Sequence, residues 1–160
     1  DLSRSTLDFV FKGGTALYKF YGLPRFSEDL DFSCSDISPV KPLIINIFNK
    51  RNISFGSENL VYDSHLIKGI FNGVFTMNND IRLDFSKSKV NNPEIKHYRS
   101  KFAELPDFLI KVMSLEEIFV EKVSALVSRN KIRDFFDVYY FFNYIKENAL
   151  FSSSIGDLAV

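Results

Sequence analysis

The chain of 160 residues has one cysteine, no tryptophan, two methionines and two histidines. A lone thiol, Cys34, cannot close an internal disulfide, which excludes a disulfide-stapled secreted scaffold and fits a reducing compartment. His65 and His97 stand apart, with no Cys or His partners at zinc-ligand spacing, so neither they nor Cys34 is assigned a role. No apolar run approaches the ~20 residues that a membrane helix needs. The start, Asp1-Leu2-Ser3-Arg4-Ser5, has no hydrophobic segment of the kind a signal peptide carries. These absences predict a cytoplasmic protein. The first residue is not Met, so the chain is read as part of a longer protein. Charge of either sign is not in excess: 20 Lys plus Arg balance 20 Asp plus Glu. That argues against a strongly basic surface as the organising feature, while leaving room for a local basic patch.

What is present is ordinary globular composition, 46% hydrophobic and 25% charged, with 18 Phe for an aromatic-rich core. The length predicts one domain. Within it, residues 1–113 read as a sheet-containing core and 114–160 as C-terminal helices.

Phe9-Val10-Phe11-Lys12 is short and β-prone, and Gly13-Gly14 interrupts it. Thr15 to Tyr21 reads as a helix, capped by Thr15 and ended by Gly22 and Pro24. Leu30 to Cys34 reads as a strand and Pro39 to Lys50 as a helix. Strands are predicted at Ile53–Phe55, Leu60–Tyr62, Ile67–Met77 and Ile81–Phe85, with turns at Asn72-Gly73 and Asn78-Asn79-Asp80. Ser86 to Pro106 reads as irregular and Leu109 to Met113 as a strand. Ser114-Leu115-Glu116-Glu117 is a capping box opening a helix to about Arg129. A second helix runs from about Lys131 to Lys146. The order predicts an α+β fold, a mixed sheet covered by helices.

Three features carry chemistry. In Arg25-Phe26-Ser27-Glu28-Asp29-Leu30-Asp31-Phe32-Ser33, strand alternation puts Asp29 and Asp31 on one face. Adjacent like charges call for a cation, and Mg²⁺, hard and shared with substrate phosphates, suits them. Asp84, on a neighbouring strand, would be the third carboxylate of a metal site. The plain alternative is a solvated turn and a polar strand face. Second, Gly13-Gly14-Thr15 between strand and helix lets backbone N–H groups approach a phosphate, though it is neither a Walker A loop nor a Rossmann fingerprint. Third, Lys122 falls on the apolar stripe of Leu115, Ile118, Phe119, Leu126 and Val127. It must snorkel outward or meet an anion, either a triphosphate or a carboxylate of the next helix. Asp134 and Asp137 share a face of that helix, and one of them could orient Lys122. Arg133 and Asp137 are spaced for an i,i+4 pair, and Asp134 suits the helix N-terminus.

Four segments, Phe11-Lys12-Gly13-Gly14-Thr15-Ala16-Leu17, Arg25 to Phe32, Glu121 to Leu126 with Arg129, and Arg133-Asp134-Phe135-Phe136-Asp137, together resemble the AbiEii/AbiGii toxin family. These are nucleotidyltransferase-like proteins of toxin–antitoxin and abortive-infection systems. The resemblance implies a polymerase-β-type nucleotidyltransferase fold and Mg²⁺-dependent transfer of a nucleotide from an NTP to an acceptor hydroxyl. By position it implies that Gly13, Gly14 and Thr15 hold phosphates and that Asp29 and Asp31 bind metal, with Asp84 fitting less securely. Lys122 would contact the nucleotide or its phosphates, and Asp137 or Asp134 would support catalysis. Some members of the family use tRNA as acceptor, and the usual partner is a cognate antitoxin. Neither is read from the residues themselves. Two rivals stand beside this reading. One is a catalytically inert module of the same fold. The other is a phosphatase using Asp29-Leu30-Asp31-Phe32-Ser33, which would need Asp29 at the end of a hydrophobic strand.

Overall fold

The computed structural model describes residues 8–61, 63–73, 79–100, 106–129 and 131–156, with side chains described up to residue 146. The chain forms two compact units, Asp1–Ser114 and Leu115–Val160.

The first unit is a seven-stranded mixed sheet with two helices. Its strands are β1 Phe9–Lys12, β2 Leu30–Cys34, β3 Ser54–Val61, β4 Ser64–Phe71, β5 Asn79–Ser86, β6 Pro93–Tyr98 and β7 Phe108–Met113. The helices are α1 Gly13–Phe20 and α2 Val40–Lys50. Strand order is β3-β4-β5-β2-β1-β7-β6. β1 runs antiparallel to β2, while β2 with β5 and β1 with β7 are parallel.

The register separates two chemistries on the central strands. Phe11, Phe32 and Phe85 share one rung across β1, β2 and β5. All three are buried. Phe32 and Phe85 stack at 5.2 Å between centroids, with Phe11 5.2 Å from Phe32. Each such pair adds ~0.5–1.5 kcal/mol beyond area burial. One residue along, the side chains turn to the other face, and the rung reads Lys12, Asp31, Asp84.

The second unit is a pair of helices, α3 Leu115–Arg129 and α4 Ile132–Gly156. α3 begins directly after Ser114, where the capping signal sits. Among the described residues no helix is long and apolar enough to cross a membrane.

Several boundaries differ from the sequence expectation. α1 starts at Gly13, two residues earlier than predicted, because Thr15 spends its hydroxyl elsewhere and does not cap. Gly22 ends α1 as expected, at φ 75°. The segments around Ile53 and Leu60 fuse into β3, which pairs with β4 along its length despite an irregularity between Phe55 and Ser57. Every residue of β3 is exposed, so apolar alternation could not mark it. β4 ends at Phe71; Tyr62, Met77 and Asn78 lie outside the described residues. Asn79 and Asp80 open β5 instead of turning. The stretch expected to be irregular carries β6, a sheet-edge strand without a fully buried side chain. α4 runs ten residues past Lys146, since no Pro or Gly intervenes before Gly156. Val127 is exposed, so the apolar stripe of α3 ends before it.

Candidate active site

The glycine turn and the acidic segment are built against each other residue by residue. Gly13 has φ +72°, the left-handed region that disfavours side chains. A Cβ there would run into the Asp31 carboxylate, 2.7 Å from its Cγ. A Cβ on Gly14 would lie 2.8 Å from Ser27 Oγ and 3.1 Å from Arg25 Nη2. Thr15 Oγ1 donates to the backbone oxygen of Asp29 at 2.5 Å. Glycine is therefore required here by side-chain packing as well as by any phosphate. Arg25, Ser27 and Asp31 thus reach the start of α1 through their side chains, and Asp29 through its backbone oxygen.

Asp31 and Asp84 are partners on parallel strands, half-buried and on one face. Strand neighbours lie ~4.8 Å apart, which sets the two residues side by side. Ser64 Oγ donates to Asp84 Oδ1 at 2.6 Å, fixing that carboxylate's orientation. Lys12 flanks Asp31 on its other side in register. Its ammonium donates to Ser88 Oγ at 3.1 Å. Asp29 lies one residue ahead of β2, with Arg82 Nη1 4.0 Å from its Oδ1. That position, before a strand and not at the end of one, disfavours the Asp-x-Asp phosphatase alternative.

Among the described residues, no three His, Cys, Asp or Glu side chains form a group able to hold a metal by themselves. Asp29, Asp31 and Asp84 thus form no closed cage. A paired-carboxylate site still suits Mg²⁺, which usually takes one or two carboxylates and completes its shell with water and substrate phosphates.

The second constellation lies within the helical unit. Lys122, almost buried, does not snorkel. Its Nζ is 3.0 Å from Asp137 Oδ2 and 3.7 Å from Asp134 Oδ1, and both acids are fully buried. Arg129 grips Asp134 with two bonds, Nε to Oδ2 at 2.8 Å and Nη2 to Oδ1 at 2.9 Å. That guanidinium holds the Asp134 carboxyl below the usual carboxylate range, against the opposing pull of burial. Sequence spacing offered Arg133 as the arginine partner on this face. The bidentate role of Arg129 was not visible, since it joins residues of two helices.

Cys34 is buried, and burial pushes its thiol up, which leaves it protonated and unreactive. His65 is buried on β4, in register with Phe85 on the aromatic face and away from the acids.

The solved structures that resemble this one include the following two. One is JHP933 from Helicobacter pylori, with a TM-score of 0.64 at 23% identity over 89% of this chain and 61% of that one. The other is MenT4, a nucleotidyltransferase toxin from Mycobacterium tuberculosis H37Rv, with a TM-score of 0.62 at 19% identity over 88% and 52%. At that identity the likeness is one of fold. The chain spans about three fifths of the first structure's length and half of the second's. No curated protein matches the chain. The family model described as nucleotidyl transferase AbiEii toxin, type IV toxin–antitoxin system, matches residues 1–155, which include both constellations. The chain belongs to the AbiEii nucleotidyl transferase toxin family.

Proposed function

We propose that the chain carries the catalytic core of an Mg²⁺-dependent nucleotidyltransferase, the toxin of a type IV toxin–antitoxin pair with a cognate antitoxin as partner. The observation that carries this reading is the Asp31–Asp84 rung, beside a glycine turn packed directly on Asp31. Phosphoryl-type transfer asks for positioning and charge neutralisation more than for a special nucleophile. When bound, Mg²⁺ supplies that neutralisation on the NTP phosphates.

The chain's own residues divide the remaining work. Gly13, Gly14 and the N-terminal turn of α1 present backbone N–H groups to the triphosphate. Asp31 and Asp84 supply metal ligands, Asp84 turned by Ser64. Asp29, half-buried and with Arg82 4.0 Å from its carboxylate, is a further candidate ligand. Within the helical unit, Asp137 and Asp134 hold the Lys122 ammonium, and the family resemblance assigns that lysine a nucleotide or phosphate contact. The acceptor hydroxyl oxygen bonds to the α-phosphorus, and the bond to the bridging oxygen breaks. Pyrophosphate leaves with that electron pair, and the hydroxyl proton passes to a neighbouring carboxylate. RNA, tRNA included, is the acceptor this reading favours.

The test is calorimetric titration of each NTP with Mg²⁺ present and with EDTA. The reading expects NTP binding that needs Mg²⁺ and falls at least tenfold in Asp31→Asn. Binding indifferent to both would favour an inert module.

A further inference from the structure

Beyond Asp31 and Asp84, on the side away from the glycine turn, the same sheet face carries a second polar site. Ser33 and Ser86 lie two residues farther along β2 and β5, on one rung, ~6.6 Å from the acids. Ser33 is buried and its hydroxyl donates to the backbone oxygen of Ser88. Ser33 and Ser88 hydroxyls lie 2.9 Å apart, with Ser86 Oγ 3.3 Å from Ser88 Oγ. Lys12 ties into this cluster through its bond to Ser88. Beside it opens a cleft of about 370 Å³, lined by Ser33, Ser35, Ser88, Lys87, Lys89 and Asp8 among others. That volume is in the range of small-ligand sites.

The residues lining the cleft include two lysines and one acid, and Asp36 lies within electrostatic reach of Lys87. The lining acid, Asp8, is held by Lys111 at 2.6 Å. Lys87 and Lys89 are exposed. Hydroxyl donors with ammonium groups are the chemistry of a phosphate seat. Placement then decides whose phosphate it takes. Attacking and leaving oxygens lie roughly in line across the transferred phosphorus. On the reading above, the triphosphate and its leaving pyrophosphate sit at the glycine turn, at the Lys12 end of β1. The cleft lies past the acids in the opposite direction, at the Asp8 end.

We propose that this cleft seats a backbone phosphate of a single-stranded polynucleotide acceptor, holding its terminal hydroxyl toward Asp31 and Asp84. The inference rests on the nucleotidyltransferase reading for the direction of attack. It gives the RNA acceptor of that reading a place on the sheet, and it locates a local basic patch in a chain of zero net charge.

The test is charge reversal, Lys87→Glu with Lys89→Glu, in the full chain. Both lysines are exposed, so the fold tolerates the change, and circular dichroism checks it. Binding of a short fluorescein-labelled single-stranded oligoribonucleotide is followed by anisotropy across salt concentrations. Binding of NTP with Mg²⁺ is titrated alongside. The proposal expects oligoribonucleotide affinity to fall at least tenfold, with a salt slope shallower by about 0.7 for the one lost phosphate contact. It expects NTP affinity within twofold of the parent. Unchanged oligoribonucleotide binding overturns it. So does a loss of NTP affinity as large as the loss for oligoribonucleotide, which would place the triphosphate in the cleft. An unaltered chain that binds oligoribonucleotide through the cleft but no Mg–NTP contradicts the transferase reading and leaves the phosphate seat standing.

Discussion

Asp31 and Asp84 occupy one rung of two parallel strands, on the polar face of the sheet. Like charges directly opposite in a sheet cost stability, by roughly 0.2–1 kcal/mol. A fold keeps such a pair when something cationic is to be shared between them. The first prediction follows. Without divalent metal, Asp84→Asn is more stable than the parent by up to about 1 kcal/mol, because the amide oxygen can still accept from Ser64. Added Mg²⁺ and NTP stabilise the parent and leave the variant unchanged. Thermal unfolding with and without both ligands measures the crossover.

The glycine turn makes a prediction of its own. Gly14→Ala pushes a methyl group against Ser27 Oγ. The variant is destabilised by about 1–3 kcal/mol, the usual cost of overpacking. Ser27→Ala removes the oxygen that obstructs it, so the double variant recovers at least half of the loss. A double-mutant cycle by urea unfolding gives the coupling. Strict additivity would show that the two residues do not press on each other.

Partners of different exposure in the helical unit are expected to differ in cost. Lys122→Met takes an almost buried cation from two fully buried acids and costs about 3–5 kcal/mol. Arg129→Ala costs less, about 1–2 kcal/mol. Its side chain is 45% exposed, and Lys122 remains beside Asp134. Equal losses would mean that Lys122 is not the organising charge.

The pH dependence has a defined sign. Asp134 has its carboxyl lowered in the folded state, chiefly by Arg129. A lowered carboxylate contributes stability that is present above its unfolded value of ~3.9 and is lost as pH falls through the folded value. The parent therefore loses stability below about pH 4 faster than Asp134→Asn, which has no proton to take up there. Urea midpoints between pH 3 and pH 6 test the difference, and parallel curves would remove Asp134 from the account.

Much of this site is legible in the chain because its parts are local. Gly13, Gly14, Asp29 and Asp31 lie within 19 residues, and strand alternation alone assigns the acids a face. One cation on an apolar stripe leaves Lys122 to snorkel, to meet a triphosphate or to pair with a carboxylate of the next helix, and the last is what the structure holds. Long-range pairings were harder to read. That Asp84 shares a rung with Asp31 depends on β5 entering the sheet beside β2, 53 residues farther along the chain, which no local pattern encodes. β3 and β6 were misread because edge strands bury little and carry weak alternation. Ser88 and the lysines around it lay in a stretch read as irregular. Their meaning comes only from Ser33 and Lys12, which reach them from β2 and β1.

The central claim is that the Asp31–Asp84 rung performs nucleotidyl transfer, and one assay reaches it most directly. The protein is incubated with each α-labelled NTP, Mg²⁺ and total RNA, beside Asp31→Asn and Asp84→Asn variants shown to be folded. The account predicts label on RNA with the parent, and at least about a hundredfold less with either variant. Label transfer that persists undiminished in both variants would contradict it.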